Sequence, residues 1–251
     1  MKILAITQAR YGSSRLPGKI LKEIEGKTLL ELHIRRIIQS KLITKLKVAT
    51  TNEPDIQKIE DVCKKLNIDV FKGSLEDVLE RFYFAAKNEN PDWIVRLTSD
   101  CPLIDYVVID SVVEFALINN CDYASNTLNP TYPDGIDVEV FKYSVLEQAY
   151  NGATLKSDRE HVTPFIWRNS SFKGGTKFKS MSYENQKDFS GVRLTVDKQE
   201  DFLVIEKLVN ALGIYEPWER YVEYLQDHKE IQLLNKGFIR NEGYQKSLNA
   251  D

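Results

Sequence analysis

The stretch Ile3-Leu4-Ala5-Ile6-Thr7-Gln8-Ala9-Arg10-Tyr11-Gly12-Ser13-Ser14-Arg15-Leu16-Pro17-Gly18-Lys19 decides how the rest of the chain is read. Its opening residues, Ile3 to Ile6, are apolar without alternation, the pattern of a strand buried on both faces. The residues after Thr7 predict a loop, because glycine, serine and proline break the run while three cations recur at spacings of five and four. Gly12 and Gly18 permit close backbone approach, Ser13 and Ser14 offer hydroxyl donors, and Arg10, Arg15 and Lys19 together could neutralise a polyanion. A basic loop is equally an ordinary solvated surface. Its place at the carboxyl end of a first strand, where open α/β sheets bind ligands, favours a phosphate-binding loop. The spacing fits neither G-x-x-x-x-G-K-[ST] nor G-x-G-x-x-G, so neither of those mechanisms is claimed.

Hydrophobic periodicity carries the reading outward from this loop. Leu30, Ile34, Ile37 and Ile38 predict a helix within 27–40, with His33, Arg35 and Arg36 read as its solvated surface. A strand at 46–50 and a helix through Ile56, Ile59, Val62, Cys63 and Leu66 continue the strand–helix alternation of parallel βαβ units. Val70-Phe71 precedes a helix through Val78, Leu79, Phe82 and Ala86, with Ser74 as its expected N-cap and Asp77 at the third position. The run 93–97 predicts a central strand ending in Thr98-Ser99-Asp100-Cys101-Pro102-Leu103. A carboxylate just beyond a buried strand needs a partner, either a cation or backbone donors, and a turn or N-cap role is the plain alternative for Asp100.

A helix over 107–118 and a strand at 123–125 follow, and 126–135 is a dense cluster of turn formers. Alternation over 136–141 places Asp137 and Glu139 on one face, opposite Ile136, Val138 and Val140. Ser157 is read as the cap of a helix carrying Arg159 and His161, and 178–183 alternates like a half-exposed strand. Asp197 stands before a helix through Phe202, Ile205, Leu208, Val209 and Leu212, where it could be only a cap. Trp218, Tyr221 and Leu225 form a helical packing stripe in the polar segment beyond Gly213. The division expected is one domain over 1–213 and a helical segment and tail over 214–251.

Composition narrows the function classes. The chain has 251 residues, enough for one large α/β domain. A net charge of −3 and a pI near 5.8 provide no overall basic field, so neither nucleic acid nor an anionic membrane surface is an expected partner. Cys63, Cys101 and Cys121 are odd in number and widely spaced, which suits a reducing cytoplasm and indicates neither a disulfide framework nor zinc. No signal-peptide or membrane-spanning run is recognised, and a cytoplasmic protein is expected.

The run Gln8-Ala9-Arg10-x-x-Ser13-Ser14-Arg15-Leu16-Pro17-Gly18-Lys19 closely resembles the amino-terminal signature of the sugar-acid cytidylyltransferases. That group includes the CMP-KDO synthetases, the acylneuraminate cytidylyltransferases and, nearest in pattern, the spore-coat polysaccharide biosynthesis family. The resemblance covers about the first 210 residues. It implies a Rossmann-like three-layer α/β nucleotidyltransferase fold with a mixed, mainly parallel sheet. It also implies CTP as co-substrate, held by Gln8, Ala9, Arg10, Ser13, Ser14, Arg15, Lys19 and Thr98. Ser74 and Arg81 stand near the Gly-Ser turn that lies beside the base in such enzymes. The segment at Asp100 is similar to the Asp-x-Pro-Leu turn that holds Mg²⁺ in sugar nucleotidyltransferases, and Asp197 matches the family's second metal aspartate. The Pro-Asp-Gly-Ile-Asp-Val-Glu-Val-Phe and Arg-Glu-His-Val-Thr-Pro runs, also similar to the spore-coat group, place Asp137, Glu139, Arg159 and His161 on the acceptor side. A homodimer is implied as well.

The expected activity is Mg²⁺-dependent transfer of CMP from CTP to a small acidic acceptor, with Arg10, Arg15, Lys19 and Asp100 carrying the chemistry. The alternatives are a nucleotide-sugar glycosyltransferase, whose Asp-x-Asp motif Asp100-Cys101-Pro102 lacks, and a non-catalytic nucleotide-binding module.

Overall fold

The strand Ile3–Gln8 (β1) lies at the middle of the sheet because both of its faces are covered. Ile3 and Ala5 enter one apolar core and Leu4 and Ile6 the other, the period-2 division that a doubly covered strand requires. The structure, a computed structural model, describes every residue except Ser14, Pro54 and Ala250. The further strands are Glu23–Ile24 (β2), Lys27–Thr28 (β3), Lys45–Thr51 (β4), Asp69–Gly73 (β5), Trp93–Thr98 (β6), Tyr123–Ser125 (β7), Glu139–Lys142 (β8) and Ser180–Ser182 (β9). β2 and β3 form a small hairpin, and the other strands make one sheet in the order β5-β4-β1-β6-β8-β7-β9. β1 runs parallel to β4 and β6, whereas β8 is antiparallel to β6 and β7. The sheet is therefore mixed and mainly parallel, as expected.

The helices are Leu29–Ile37 (α1), Ile56–Lys65 (α2), Val78–Lys87 (α3), Tyr106–Ile118 (α4), Tyr143–Gly152 (α5), Lys156–His161 (α6), Pro164–Arg168 (α7), Gln199–Leu212 (α8), Trp218–Asp227 (α9), Lys229–Gln232 (α10) and Glu242–Leu248 (α11). α1, α2, α4, α8 and α9 supply the core on one face, and α3, α5 and α7 supply the other. This is a three-layer arrangement. The stripe Trp218, Tyr221 and Leu225 packs into the same core as α1, as the spacing predicts.

Several expectations are corrected. His33 and Arg36 are not solvated: both are buried, His33 fully. Arg36 donates to the carbonyls of Ile104, Ile214 and Glu216 and so ties the segment after Gly213 to α1. α3 starts at Val78 with Asp77 as its N-cap, because the Asp77 carboxylate accepts from Glu80 N at 2.8 Å while Ser74 accepts from Asp77 N at 3.0 Å. Ser157 lies inside α6 and donates to Asp251 instead of capping the helix. The strand expected over 136–141 begins at Glu139. The Asn126 amide takes over the backbone before it, donating to the Ile136 carbonyl and accepting from Val138 N.

Candidate active site

Two loops and one extended segment meet at the carboxyl end of β1 and β6. In the first loop, Gly18 adopts φ +65° and its N–H donates to Tyr11 O at 3.1 Å, turning the chain into a short 3-10 turn that starts at Lys19. Buried Ile20 anchors that turn, so the Lys19 side chain leaves a fixed base. Its ammonium donates to Asp100 Oδ2 at 2.9 Å, Asp197 Oδ1 at 2.8 Å and the Val196 carbonyl at 2.8 Å. All three ammonium protons are thereby used.

Asp100 occupies the turn after β6, closed by Cys101 N donating to Thr98 O at 3.1 Å. His33 braces this turn from α1 through the Cys101 carbonyl, 2.8 Å away. Asp197 arrives from 97 residues later because Val196 N donates to Asp100 O at 2.8 Å and Thr195 Oγ1 to the same carbonyl at 3.2 Å. The segment before it is extended and bridges Asp134 to Arg193 without forming a regular strand. Gly135 makes that bridge feasible: at φ +111°, a Cβ there would sit 2.5 Å from Thr195 N.

Asp197 is held from both sides. Arg15 reaches Oδ1 at 2.6 Å and Arg193 reaches Oδ2 at 3.1 Å. Arg193 is itself fixed by Asp134 at 2.5 Å and buried Asp201 at 2.8 Å. Burial would raise the Asp197 carboxyl, but Lys19 and then Arg15 outweigh it and hold Asp197 well below the ordinary carboxylate range. Asp100 is lowered in the same way, with Lys19 overcoming burial and the repulsion of Asp197. Burial would lower Lys19; its two carboxylates prevail and raise it. At neutral pH the two carboxylates are ionised and faced by Lys19, Arg15 and Arg193, the last shared with Asp134 and Asp201.

On one flank, Arg10 is exposed and, among the described residues, forms no ion pair. Arg81, in the first turn of α3, is buried, and its Nε and Nη1 have no hydrogen-bond partner among the described residues. Burial, and next the charge of Arg10, pull its guanidinium down to about 10. Glycine at 73 leaves room for it, since a Cβ there would lie 3.3 Å from Arg81 Cγ. Gln8 accepts from Arg96 at 3.2 Å, Ala9 N continues the ladder to Ala49 O at 3.0 Å, and Ser13 Oγ lies 3.5 Å from Leu16 N. Thr98 Oγ1 meets the Cys101 thiol at 3.3 Å within the Asp100 turn. Ser14 lies outside the described residues.

On the other flank, the antiparallel register sets Arg96 opposite Glu139, and the two form an ion pair. Glu139 also accepts from Tyr123 and Thr163 hydroxyls, each at 2.6 Å. Asp137 is paired with Arg240 at 2.5 Å. Arg159 is committed to Asp77 and to the Tyr150 carbonyl, the latter at 2.8 Å. His161 contacts Ser247 of α11 at 2.9 Å; burial, then Arg96, push it down to about 4, so it is neutral near pH 7.

Arg96, Arg193, Arg240 and His33 have no assigned role in the reading of the residues alone. A cation interrupting an apolar run, as in Trp93-Ile94-Val95-Arg96-Leu97 and Val192-Arg193-Leu194, was the available signal, because such a charge folds in only beside a carboxylate.

A family model described as cytidylyltransferase matches residues 4–237, which extends the expected coverage past 210. The chain belongs to the cytidylyltransferase family. The spore coat polysaccharide biosynthesis protein SpsF of Bacillus subtilis is 32% identical over 222 residues, covering 84% of this chain and 88% of that protein. A cytidylyltransferase structure from Leptospira borgpetersenii superposes with a TM-score of 0.88 at 34% identity, over 95% of this chain and 99% of that one. CMP:2-keto-3-deoxy-manno-octonic acid synthetase, solved with CTP, shares the fold at a TM-score of 0.62 and 16% identity, over 84% of this chain and 99% of that one. Among the described residues, no helix of this cytidylyltransferase is long and apolar enough to cross a membrane.

Proposed function

We propose that this cytidylyltransferase transfers CMP from CTP to a small acidic acceptor, a sugar acid or a comparable metabolite, in the cytoplasm, as a homodimer. Similarity to a spore coat polysaccharide protein supports a place in surface polysaccharide or glycoconjugate synthesis. The observation that carries the reading is the convergence of Asp100 and Asp197 on the Lys19 ammonium at the mouth of a basic loop. An acceptor oxygen attacks the α-phosphorus, the bond from that phosphorus to the bridging oxygen breaks, and pyrophosphate leaves with the bonding pair. Arg10, Arg15 and Lys19 meet the charge on the α-phosphate and the departing pyrophosphate. Gln8, Ala9 and Ser13 line the loop around the phosphates and Thr98 the Asp100 turn; Ser14, outside the described residues, is grouped with them from the sequence alone. Ser74 and the unpartnered Arg81 guanidinium serve the base.

Mg²⁺ fits the donor set. Two hard carboxylates converge, and among the described residues no third metal-ligating side chain joins them, which suits an ion that keeps waters and takes phosphate oxygens. Asp100 and Asp197 would hold it, and when bound it would supply charge neutralisation at the phosphates. The acceptor's acid group finds donors in Arg96 and Arg240, whose buried Nε–H groups make no hydrogen bond among the described residues, that of Arg240 standing 3.9 Å from Asp134. Asp137, Glu139, Arg159 and His161 frame that side. His161, neutral and weakly basic, orients the acceptor better than it removes a proton. The test is pyrophosphate release from CTP, UTP, ATP and GTP with Mg²⁺ and a panel of sugar acids and hydroxy acids. CTP-selective release with one acceptor class is expected. Release with UTP alone, or with no acceptor in the panel while CTP fails to bind, overturns the reading.

A further inference from the structure

Lys19 sits where a divalent cation would sit. It contacts Asp100 Oδ2 and Asp197 Oδ1, the latter shared with Arg15, and these are the oxygens an incoming ion would take. The other Asp197 oxygen is held by Arg193 at 3.1 Å, and the other Asp100 oxygen faces the Cys101 thiol at 3.7 Å. With Arg193 and Arg15 also on Asp197, the latter shared with Glu242 at 3.5 Å, both carboxylates already have cationic partners. Mg²⁺ gives up hydration water reluctantly and gains little by displacing two cations already in place.

We infer that Lys19 is an internal counter-ion that occupies the cation position, so that the divalent cation enters only together with a polyphosphate. The inference rests on the nucleotidyl-transfer reading above. A triphosphate brings negative charge to the loop and draws Lys19 and Arg15 off the aspartates. Both are able to leave. The ammonium rides on a flexible four-carbon stem, and Arg15, with 29% of its side chain exposed, makes a pair that exchanges readily. Arg193 is not able to leave, being clamped by Asp134 and Asp201, and it keeps Asp197 aimed at Asp100 after Lys19 departs. Nucleotide-free protein therefore stays poised without a bound metal, and the two carboxylates do not repel each other apart.

The test is Mn²⁺ uptake, read from loss of the free-ion electron paramagnetic resonance signal, by wild-type protein and by Lys19→Met. Without nucleotide, wild type is expected to take up no Mn²⁺ at sub-millimolar concentration, and Lys19→Met to bind one ion at least about tenfold more tightly. Adding Asp100→Asn to Lys19→Met should abolish that uptake. Thermal unfolding provides a second readout for a variant too unstable to titrate. Lys19→Met should melt below wild type and recover with Mg²⁺ alone, whereas wild type should not shift. Nucleotide-free wild type binding Mn²⁺ as tightly as the variant, or a variant that gains neither ion nor stability, overturns the inference. Failure of wild type to bind CTP overturns the transfer reading instead and leaves the nucleotide-free comparison to decide Lys19 separately.

Discussion

His33 and Cys101, 68 residues apart, are joined by a 2.8 Å hydrogen bond between Nδ1 and the Cys101 carbonyl. The carbonyl only accepts, so Nδ1 carries the proton and Nε2 accepts from the Thr7 hydroxyl at 2.9 Å. A neutral imidazole thus links β1 to the turn that presents Asp100. Burial pushes His33 from 6.5 down to about 4. Because the folded value is depressed, this histidine's contribution is complete above pH 6.5 and is lost as pH falls toward 4, a loss of about 3 kcal/mol. Urea midpoints measured from pH 7 to pH 4 should fall for wild type and fall less steeply for His33→Gln. Equal slopes would mean that His33 does not titrate differently in the two states.

Asp100→Asn should lower turnover by about a thousandfold or more, since charge stabilisation at the phosphates is lost, while far-ultraviolet circular dichroism stays unchanged. Asp197 still pairs with Lys19 in that variant, so no buried charge is stranded. Turnover within about tenfold of wild type would remove Asp100 from the chemistry.

Arg81 is a stability cost in the free protein, a buried guanidinium with two nitrogens that find no hydrogen-bond partner among the described residues. Arg81→Met should stabilise the fold by about 1–3 kcal/mol in chemical denaturation and weaken CTP binding at least about tenfold. Unchanged CTP affinity by calorimetry would take Arg81 out of the nucleotide site.

The Arg96–Glu139 pair sets a half-buried guanidinium against a buried carboxylate between two neighbouring strands. Glu139→Ala should destabilise by about 3–5 kcal/mol because Arg96 is left charged and unpaired, and Arg96→Met in the same background should restore part of it. Additive losses in the double-mutant cycle would show that the two do not interact.

Gly135→Ala and Gly26→Ala both place a side chain at positive φ, but only the former drives its Cβ into neighbouring backbone. Gly26→Ala should cost about 1 kcal/mol and leave activity intact. Gly135→Ala should cost about 2 kcal/mol or more and reduce turnover, because it displaces the segment that delivers Asp197. Equal effects of the two would show that this close approach is unimportant.

The sheet was legible where apolar residues run together, and β1, β4 and β6 follow such runs closely, the last two despite Lys47 and Arg96 within them. α1 misled because it is covered more widely than one stripe: β1 and the Asp100 turn meet His33, residues 104–105 and 214–216 meet Arg36, and only these tertiary partners explain why the burial is tolerated. The segment 136–138 reads as a strand by alternation, yet one asparagine side chain 10 and 12 residues earlier satisfies its backbone. α11 has too few apolar residues to announce itself and is positioned by polar contacts such as Ser247 with Glu160 at 2.7 Å. The two aspartates were legible from motif likeness. That Lys19 joins them was not, since nothing local in a sequence relates positions 178 apart.

That separation bears on how the protein comes to bind anything. The Lys19–Asp197 contact closes one of the longest loops in the chain, and such closures come late in folding because their entropy is recovered only once the intervening elements are docked. A collapsed intermediate with β1, β4 and β6 already paired would still lack the second aspartate and its Arg193 clamp. Nucleotide therefore acts as a ligand of the finished molecule alone: it slows unfolding and protects against proteolysis, and it leaves the rate of the early folding steps untouched.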